Sequence, residues 1–230
     1  MDAADDTLPL EPPLSETPAQ ALSGRYLLGE PLGRGGSAEV FAATDLQTGD
    51  RVAVKMVPVL GVHARRQVRR ELSALLALRI PGVVRFRDDG AHGDRSFFVT
   101  DLVDGGSFTD GAGADWASWR PRIVALLDVV ARMHLAGVVH RDLKPANVRV
   151  DRDGRVVVLD FGLAQGRLVE RSTAGLIEGT PRYMAPEQLA GQPCDERSDL
   201  YAVGRMIVEL VTGDAGSIDR LPEAGVPSEL

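Results

Sequence analysis

One short segment of the chain is crowded with side chains that can move protons or bind cations. Residues 140–147 read His-Arg-Asp-Leu-Lys-Pro-Ala-Asn, so five of these eight positions carry hydrogen-bonding groups. Eighteen residues after Asp142, an apolar run ends in Asp160, and a carboxylate at the end of a strand either caps a turn or ligates a divalent cation. For a single Asp the cap is the more common role, but the crowding marks this region as a candidate site.

Lysine usage points to the same segment. Of 26 basic residues 24 are Arg, and the two lysines are Lys55 and Lys144. Arg spreads its charge over a planar fork, whereas Lys carries a compact ammonium, so a tight site that needs a point charge excludes Arg. Chance is the competing explanation. We therefore treat both lysines as candidate site residues.

A glycine-rich segment precedes Lys55. Residues 33–36 read Gly-Arg-Gly-Gly and lie between two predicted strands, where glycine lets backbone N–H groups approach an anion closely. A strand rather than a helix follows, which excludes the dinucleotide-binding turn of a Rossmann unit. Because a hairpin of this kind is more often only a turn, the motif by itself is weak.

The first half of the chain has the pattern of a small antiparallel sheet. Short apolar and β-branched stretches alternate with glycine-containing turns, which predicts a three-strand meander, a helix and two more strands. The helix places leucines at helical spacing opposite a row of arginines. The pair Gly105-Gly106 then breaks the chain. The predicted strands are residues 26–32, 39–44, 51–57, 83–87 and 96–102, and the predicted helix is residues 63–78.

The second half has mainly helical periodicity. One helix is predicted over residues 123–135, directly after Pro121, and a nearly all-apolar helix over residues 198–212 is expected to be buried. Short strands are predicted at residues 138–140, 148–150 and 156–159. We expect a disordered, acidic and Pro-rich tail over residues 1–24, a sheet-rich lobe over residues 25–103 and a helical lobe over residues 104–230.

Composition excludes several classes of protein. The 230 residues are 44% hydrophobic and 26% charged, without an apolar run long enough to span a membrane. A single cysteine, Cys194, excludes an internal disulfide framework and a cysteine-based zinc site. The net charge of −7 argues against non-specific nucleic-acid binding. The N-terminus lacks the pattern of a secretory signal, so we expect a cytoplasmic protein.

Taken in this order, the motifs resemble those of the eukaryotic-type (Hanks-type) protein kinases, in particular the bacterial eukaryote-like Ser/Thr subgroup. The resemblance covers residues 26–213 and implies an α+β, bilobal protein-kinase-like fold, with an antiparallel β N-lobe that carries one helix and a mainly helical C-lobe. The family continues through further helices, so we expect a truncated C-lobe and a longer parent protein with further domains. The matching motifs are the glycine-rich loop, Val52-Ala53-Val54-Lys55, His140-Arg141-Asp142, Asp160-Phe161-Gly162 and Ala185-Pro186-Glu187.

The resemblance assigns roles to the catalytic residues. Lys55 would hold the α- and β-phosphates of ATP and would itself be positioned by an ion pair with Glu71. Asp142 would orient the substrate hydroxyl and accept its proton, while Lys144, a mark of Ser/Thr kinases, would reach the transferred phosphate. The implied activity is ATP-dependent phosphorylation of Ser and Thr hydroxyls in proteins, with Mg²⁺ as the metal and Mn²⁺ as an alternative.

The resemblance also outlines a nucleotide site. Asn147 and Asp160 would hold the metal, and the adenine would pair with an interlobe linker that begins at Asp101. Arg149 departs from the family, which usually places an apolar residue beneath the base. Either the Arg149 stem lies along the ring with its charge in water, or nucleotide binding is weakened. The implied nucleotide-binding residues are Leu32, Gly33, Gly35, Gly36, Val40, Ala53, Lys55, Thr100, Asp101, Val103, Arg149 and Asp160.

Residues 160–187 resemble an activation segment. A phosphate on Ser172 or Thr173 could dock on the guanidinium of Arg141 and order this segment, whereas Thr180 is assigned a structural role. Asp199 resembles the residue that anchors the backbone of the His-Arg-Asp motif. The usual Arg partner of Glu187 lies in the absent helices, so we expect Glu187 to be unpaired.

Two other functions stay open at this stage. A pseudokinase that binds nucleotide without turnover is favoured by Arg149 and by the truncation, and is opposed by the complete set of catalytic residues. A small-molecule phosphotransferase of the aminoglycoside-kinase kind would share the pair of aspartates. It would not need Thr180 or the Ala-Pro-Glu motif, which shape a peptide-binding surface.

Overall fold

The computed structural model describes residues 21–35, 38–58, 79–93, 95–111, 115–159 and 181–213. The predicted helix over residues 63–78 and the first 20 residues of the predicted tail lie outside these ranges. No helix in the described part is both long and apolar enough to cross a membrane. Five residues of the predicted site are also outside the described ranges, namely Gly36, Glu71, Asp160, Ser172 and Thr173.

A five-stranded antiparallel sheet forms the N-lobe. Its strands are β1 (Tyr26–Gly35), β2 (Ala38–Asp45), β3 (Arg51–Pro58), β4 (Phe86–His92) and β5 (Arg95–Asp101). The order β1-β2-β3-β5-β4 confirms the predicted meander and makes β1 and β4 the edges. The prediction of a strand over residues 83–87 is wrong at its start, because Val83 and Val84 pair with Val158 of the C-lobe instead.

One face of this sheet carries the N-lobe core. Side chains alternate along a strand, so every second residue of β3 and β5 faces the same side. Val52, Val54 and Val99 are fully buried there, in a cluster that also contains Leu22 and Tyr26. Leu22 lies within the range predicted as a tail, yet its side chain is only 2% exposed and packs with the lobe.

A small second sheet follows the linker between the lobes. It consists of β6 (Gly105–Ser107), β7 (Val148–Asp151) and β8 (Val156–Val158), paired antiparallel in that order. The predicted chain break at residues 105–106 is therefore a short strand. A Cβ atom at Gly105 would lie 2.0 Å from the Val150 carbonyl oxygen, so this close pairing requires glycine.

The C-lobe begins with the long helix α1 (Trp116–Leu135). It starts seven residues before the predicted helix because the Asp115 carboxylate caps it, accepting from the Ser118 N–H at 3.1 Å. The buried Trp116 and Trp119 hold this first turn in the core. Pro121 consequently lies inside the helix and not before it.

Two further α-helices lie in the described C-lobe, α2 (Pro186–Leu189) and α3 (Glu196–Thr212), besides the short 3₁₀ helices Pro145–Asn147 and Pro181–Tyr183. Helix α3 ends at Gly213, whose φ of +77° is the left-handed conformation of a helix C-cap. Its inner face packs on α1, in a core cluster that also contains residues of β7 and β8. The expectation that all of α3 is buried is wrong on its outer face, because Leu200 and Tyr201 are exposed.

Candidate active site

The loop of residues 140–147, here called the His-Arg-Asp loop, has an unusual backbone at Arg141. The φ of Arg141 is +69°, a left-handed conformation that non-glycine residues rarely adopt and that the surroundings must stabilise. Its N–H donates to Asp199 Oδ1 at 2.8 Å, and its carbonyl accepts from Gln188 Nε2 at 2.8 Å. Side chains from α3 and α2 thus hold this residue.

Asp199 anchors more than one residue of the loop. The side chain is fully buried, and its Oδ2 accepts from the His140 N–H at 2.8 Å and from His134 Nε2 at 2.9 Å. The predicted strand over residues 138–140 does not form, because the His140 backbone is directed to this carboxylate and not to a neighbouring strand. The predicted anchoring role of Asp199 is confirmed.

His140 connects the loop to the strand that precedes Asp160. Its Nδ1 accepts from the Asp142 N–H at 3.2 Å, and its Nε2 lies 2.8 Å from the Leu159 carbonyl oxygen. A carbonyl can only accept, so Nε2 carries the proton and His140 is the neutral Nε2–H tautomer. The imidazole therefore fixes the backbone on both sides of the site.

The carboxylate of Asp142 is oriented by two neighbours. Its Oδ2 accepts from Lys144 Nζ at 2.9 Å and from Asn147 Nδ2 at 2.9 Å. Within the described part of the chain both bonds fall on Oδ2, and Oδ1 has no donor. The structure thus brings these three predicted residues together and leaves one carboxylate oxygen available to a ligand hydroxyl.

Asn147 has one amide atom left for a metal. The side chain is buried, and its Nδ2 is committed to both the carbonyl and the carboxylate of Asp142. The amide Oδ1 is then the atom available to a cation, and amide oxygen is a ligand that Mg²⁺ accepts. Among the described residues no group of three His, Cys, Asp or Glu side chains is placed to hold a metal ion. The other predicted ligand, Asp160, lies outside them.

Lys55 lies on the face of the N-lobe sheet opposite the buried cluster. The strand register places Lys55 opposite Val40 on β2 and opposite Phe98 on β5. Ala53, two residues earlier on β3, is opposite Thr100 and therefore shares this face. These side chains are half-buried, so the register alone places Lys55 and its neighbours on one partly open surface.

The remaining residues predicted to bind nucleotide lie in the β1–β2 hairpin, at the end of β5 and in the linker, apart from Arg149. Leu32 is half exposed, and Gly33 and Gly35 pair with Val40 and Ala38 in the β1–β2 hairpin. Asp101 ends β5, and Val103 follows in the linker, residues 101–104.

Arg149 is held to the linker side of the site. It lies on β7 opposite Ser107, and its Nη2 donates to the Gly105 carbonyl at 2.8 Å. Its side chain is half-buried. The guanidinium is therefore directed toward the end of the linker.

Glu187 is not unpaired, contrary to the expectation. Its Oε1 accepts from the Ser198 hydroxyl at 2.6 Å, and this hydrogen bond lowers the pKa of Glu187. The next residue, Gln188, accepts from the Ala185 N–H at 2.9 Å while donating to Arg141. The Ala-Pro-Glu motif is thereby tied both to α3 and to the His-Arg-Asp loop.

Sequence reasoning missed three supporting residues, Gln188, Ser198 and His134. A signal for Gln188 exists, because Gln three residues after the N-cap of a helix, here Ala185, is half of a capping box. No local pattern marks Ser198 or His134, because each has its partner in another helix: Glu187 is 11 positions from Ser198, and Asp199 is 65 positions from His134.

Comparison with known proteins places this geometry in context. The family model described as protein kinase domain matches residues 26–218. A probable serine/threonine-protein kinase of Corynebacterium efficiens is 38% identical over 84% of this chain and 31% of its own length. The DNA damage-responsive serine/threonine-protein kinase RqkA of Deinococcus radiodurans is 39% identical over 86% of this chain and 31% of its own. The chain thus spans about a third of the length of these relatives.

A solved structure has the same fold. The PknI kinase domain of Mycobacterium tuberculosis, crystallised as a point mutant, superposes with a TM-score of 0.67. The alignment covers 88% of this chain and 79% of that one at 24% sequence identity. The predicted α+β, bilobal kinase fold is confirmed.

Proposed function

This chain belongs to the protein kinase family, and on that premise we propose that it transfers the γ-phosphoryl group of ATP to Ser and Thr hydroxyls of proteins. The observation that carries the proposal is the Asp142 carboxylate. Lys144 and Asn147 occupy Oδ2, and Oδ1 is left for a substrate hydroxyl. The relatives with 38% and 39% identity are named serine/threonine-protein kinases.

The transfer needs positioning and charge neutralisation more than covalent chemistry. Asp142 Oδ1 accepts the hydroxyl proton of the substrate Ser or Thr as its oxygen attacks the γ-phosphorus and the bond to the β-phosphate oxygen breaks. Lys144 is 2.9 Å from Asp142 and carries the positive charge that stabilises the developing phosphoryl charge. The site therefore holds a base and a cation side by side.

ATP binds against the face of the sheet that carries Lys55. Val40 and Ala53 cover the purine, Thr100 borders it, and the linker backbone pairs with its edge. The Lys55 ammonium neutralises the α- and β-phosphates. The apolar residues Val40 and Ala53 beside Lys55 on this partly open face support the assignment, because a nucleotide site is mainly apolar with a few polar groups.

Mg²⁺ supplies charge neutralisation at the phosphates when it is bound. Asn147 Oδ1 would be one ligand for it, and Asp160, which lies outside the described residues, would be the other. Mn²⁺ has similar oxygen-ligand chemistry and is a substitute.

Arg141 is the proposed receptor for a regulatory phosphate. Its Nε is buried and has no hydrogen-bond partner in the described part of the chain. A buried donor left unsatisfied is costly, and a phosphate oxygen would satisfy it. Phosphorylation of Ser172 or Thr173 would supply that oxygen.

Turnover separates the kinase from a nucleotide-binding pseudokinase. The purified chain is incubated with γ-labelled ATP, Mg²⁺ and a generic protein substrate such as myelin basic protein, with Asp142→Asn as the matched control. We expect label on Ser and Thr of the substrate with the parent and almost none with the variant. Nucleotide binding without label transfer in a chain extended to full length would favour the pseudokinase, and transfer to small hydroxylated molecules alone would favour the small-molecule kinase.

A further inference from the structure

The edge strand β4 contains an irregularity at Arg87. In the pairing with β5, Phe86 lies opposite Thr100 but Asp88 lies opposite Val99, so Arg87 is an extra residue on β4. Such a β-bulge bends the strand and changes the direction of a side chain, and bulges are common at sheet edges and next to active sites. The bulge adjoins Thr100, the residue before the linker.

The side chain of Arg87 bridges two carboxylates. Its Nε donates to Asp101, and its Nη1 donates to Asp50 Oδ2 at 2.6 Å. The guanidinium is partly shielded from water, since the Arg87 side chain is 24% exposed, whereas the side chains of Asp101 and Asp50 are 38% and 50% exposed. One guanidinium thus ties the turn before β3 to the last residue of β5.

Asp101 is also the first residue of the linker. Its backbone N–H donates to the Arg85 carbonyl at 2.9 Å, and its Cα pairs with Val52 on β3. These backbone contacts hold only the strand side of the residue. The bond from Arg87 is the one that orients the side chain at the point where the chain leaves the sheet.

A second arginine, Arg25, lies directly before β1 and provides a comparison within the same lobe. Arg25 also bridges two carboxylates, donating to Asp45 at 2.7 Å and to Asp88 at 3.0 Å. The hydrogen bond from Arg25 lowers the pKa of Asp45 to about 2. Arg25 has the same chemistry as Arg87 and contacts the neighbouring residue of β4, but neither of its partners belongs to the linker.

We propose that Arg87 is a positioning residue of the nucleotide site, which holds the start of the linker in the geometry that receives the adenine. The inference rests on the proposed ATP site. Without the guanidinium, the carboxylates of Asp50 and Asp101 lose their shared cation. Nucleotide binding must then also order the linker, and this loss of conformational entropy weakens the affinity. Arg87 therefore acts on nucleotide affinity and not on the chemical step.

The test measures the dissociation constant of a fluorescent N-methylanthraniloyl ATP with Mg²⁺, alongside the thermal unfolding midpoint. We expect Arg87→Gln to weaken binding about fivefold, the effect of one charge-assisted hydrogen bond, with kcat at saturating ATP within about twofold of the parent. Arg25→Gln is the matched control, expected to lower the unfolding midpoint at least as much and to leave nucleotide affinity unchanged.

A double-mutant cycle identifies which carboxylate matters. Asp101→Ala should weaken binding as Arg87→Gln does, the double variant should be no weaker than either single one, and Asp50→Ala should bind like the parent. Arg87→Lys keeps the charge, and its nucleotide affinity should lie between those of the parent and Arg87→Gln. This variant replaces Arg87→Gln in the test if Arg87→Gln does not fold. If the Arg87 variants bind nucleotide as tightly as the parent, or if Arg25→Gln weakens nucleotide binding as much as they do, the inference is wrong while the proposed function stands. A parent chain that binds no nucleotide would overturn the proposed function and the inference together.

Discussion

The two halves of the candidate site are held in different ways. On the sheet, backbone register alone places Lys55 opposite Val40 and Phe98. In the His-Arg-Asp loop, side chains from elsewhere hold the backbone, with Asp199 accepting from both His140 and Arg141. Substitutions on the sheet should therefore affect one contact at a time, whereas a change in the support of the loop should move several groups together.

The reason for the difference is the satisfaction of backbone hydrogen bonds. A strand uses its N–H and C=O groups on its neighbours, so no side chain is needed to fix it. The His-Arg-Asp loop has no such partner, and a buried backbone donor left unpaired is costly. The Asp199 carboxylate and the Gln188 amide supply the missing partners.

The largest effect is expected from Asp142→Asn. The amide cannot accept the substrate proton, so turnover should fall about a thousandfold, within the usual range for a lost general base. ATP affinity should be unchanged, because the proposed nucleotide site lies on the sheet side. Steady-state phosphorylation and nucleotide titration on the same sample check both points, and equal turnover in the variant would contradict the role of Asp142.

Asp199→Asn should have the next largest effect, although Asp199 touches no reactant. The amide offers one oxygen where three N–H donors converge, so at least one donor is left unpaired, at about 1 to 3 kcal/mol. We expect activity to fall roughly tenfold to a hundredfold and the unfolding midpoint to drop. Asp195→Asn, the exposed N-cap of the same helix, is the control and should keep its activity. Full activity in Asp199→Asn would show that the loop does not depend on this anchor.

Lys55→Arg tests the sheet side. The wide guanidinium cannot replace the compact ammonium against both phosphates, so turnover should fall at least about tenfold, or roughly 1.4 kcal/mol. The reverse exchange at an exposed position of the same strand, Arg51→Lys, should have no effect. If Lys55→Arg turns over like the parent, the rarity of lysine in this chain is coincidence.

The regulatory prediction extends the comparison to the activation segment. Mass spectrometry of active full-length protein should find phosphate on Ser172 or Thr173, and the double Ala variant should lose activity about fivefold, since Arg141 then receives no phosphate. Phosphate only on Thr180, or full activity of the double variant, would mean that the loop is not switched through Arg141.

The smallest effect is expected from a substitution of Arg149, the residue proposed to lie beneath the adenine base of ATP. Arg149→Leu gives up the bond to the Gly105 carbonyl and places apolar surface against the purine, so ATP should bind about threefold more tightly. Arg155→Leu on the same hairpin, where Arg155 is exposed and pairs with Asp153, is the control. Weaker binding in Arg149→Leu would instead show that the Arg stem supports the ring.

The sequence by itself determined the local features of this protein. The spacing of Asp142, Lys144 and Asn147 places all three within one loop, so their meeting needed no long-range information. The alternation of apolar residues likewise determined β2 and β3, and with them the face on which Lys55 lies, because a strand has period 2.

Only the tertiary structure decided features that depend on distant partners. Residues 83–84 have a strand pattern but pair with Val158 instead of β5. The backbone N–H of His140, predicted to lie in a strand, donates to the carboxylate of Asp199, 59 positions away. The bulge that directs Arg87 to Asp101 has no local signature either. A periodic pattern reports which face of an element is buried, whereas a polar contact across the fold exists only after packing has brought its two groups together.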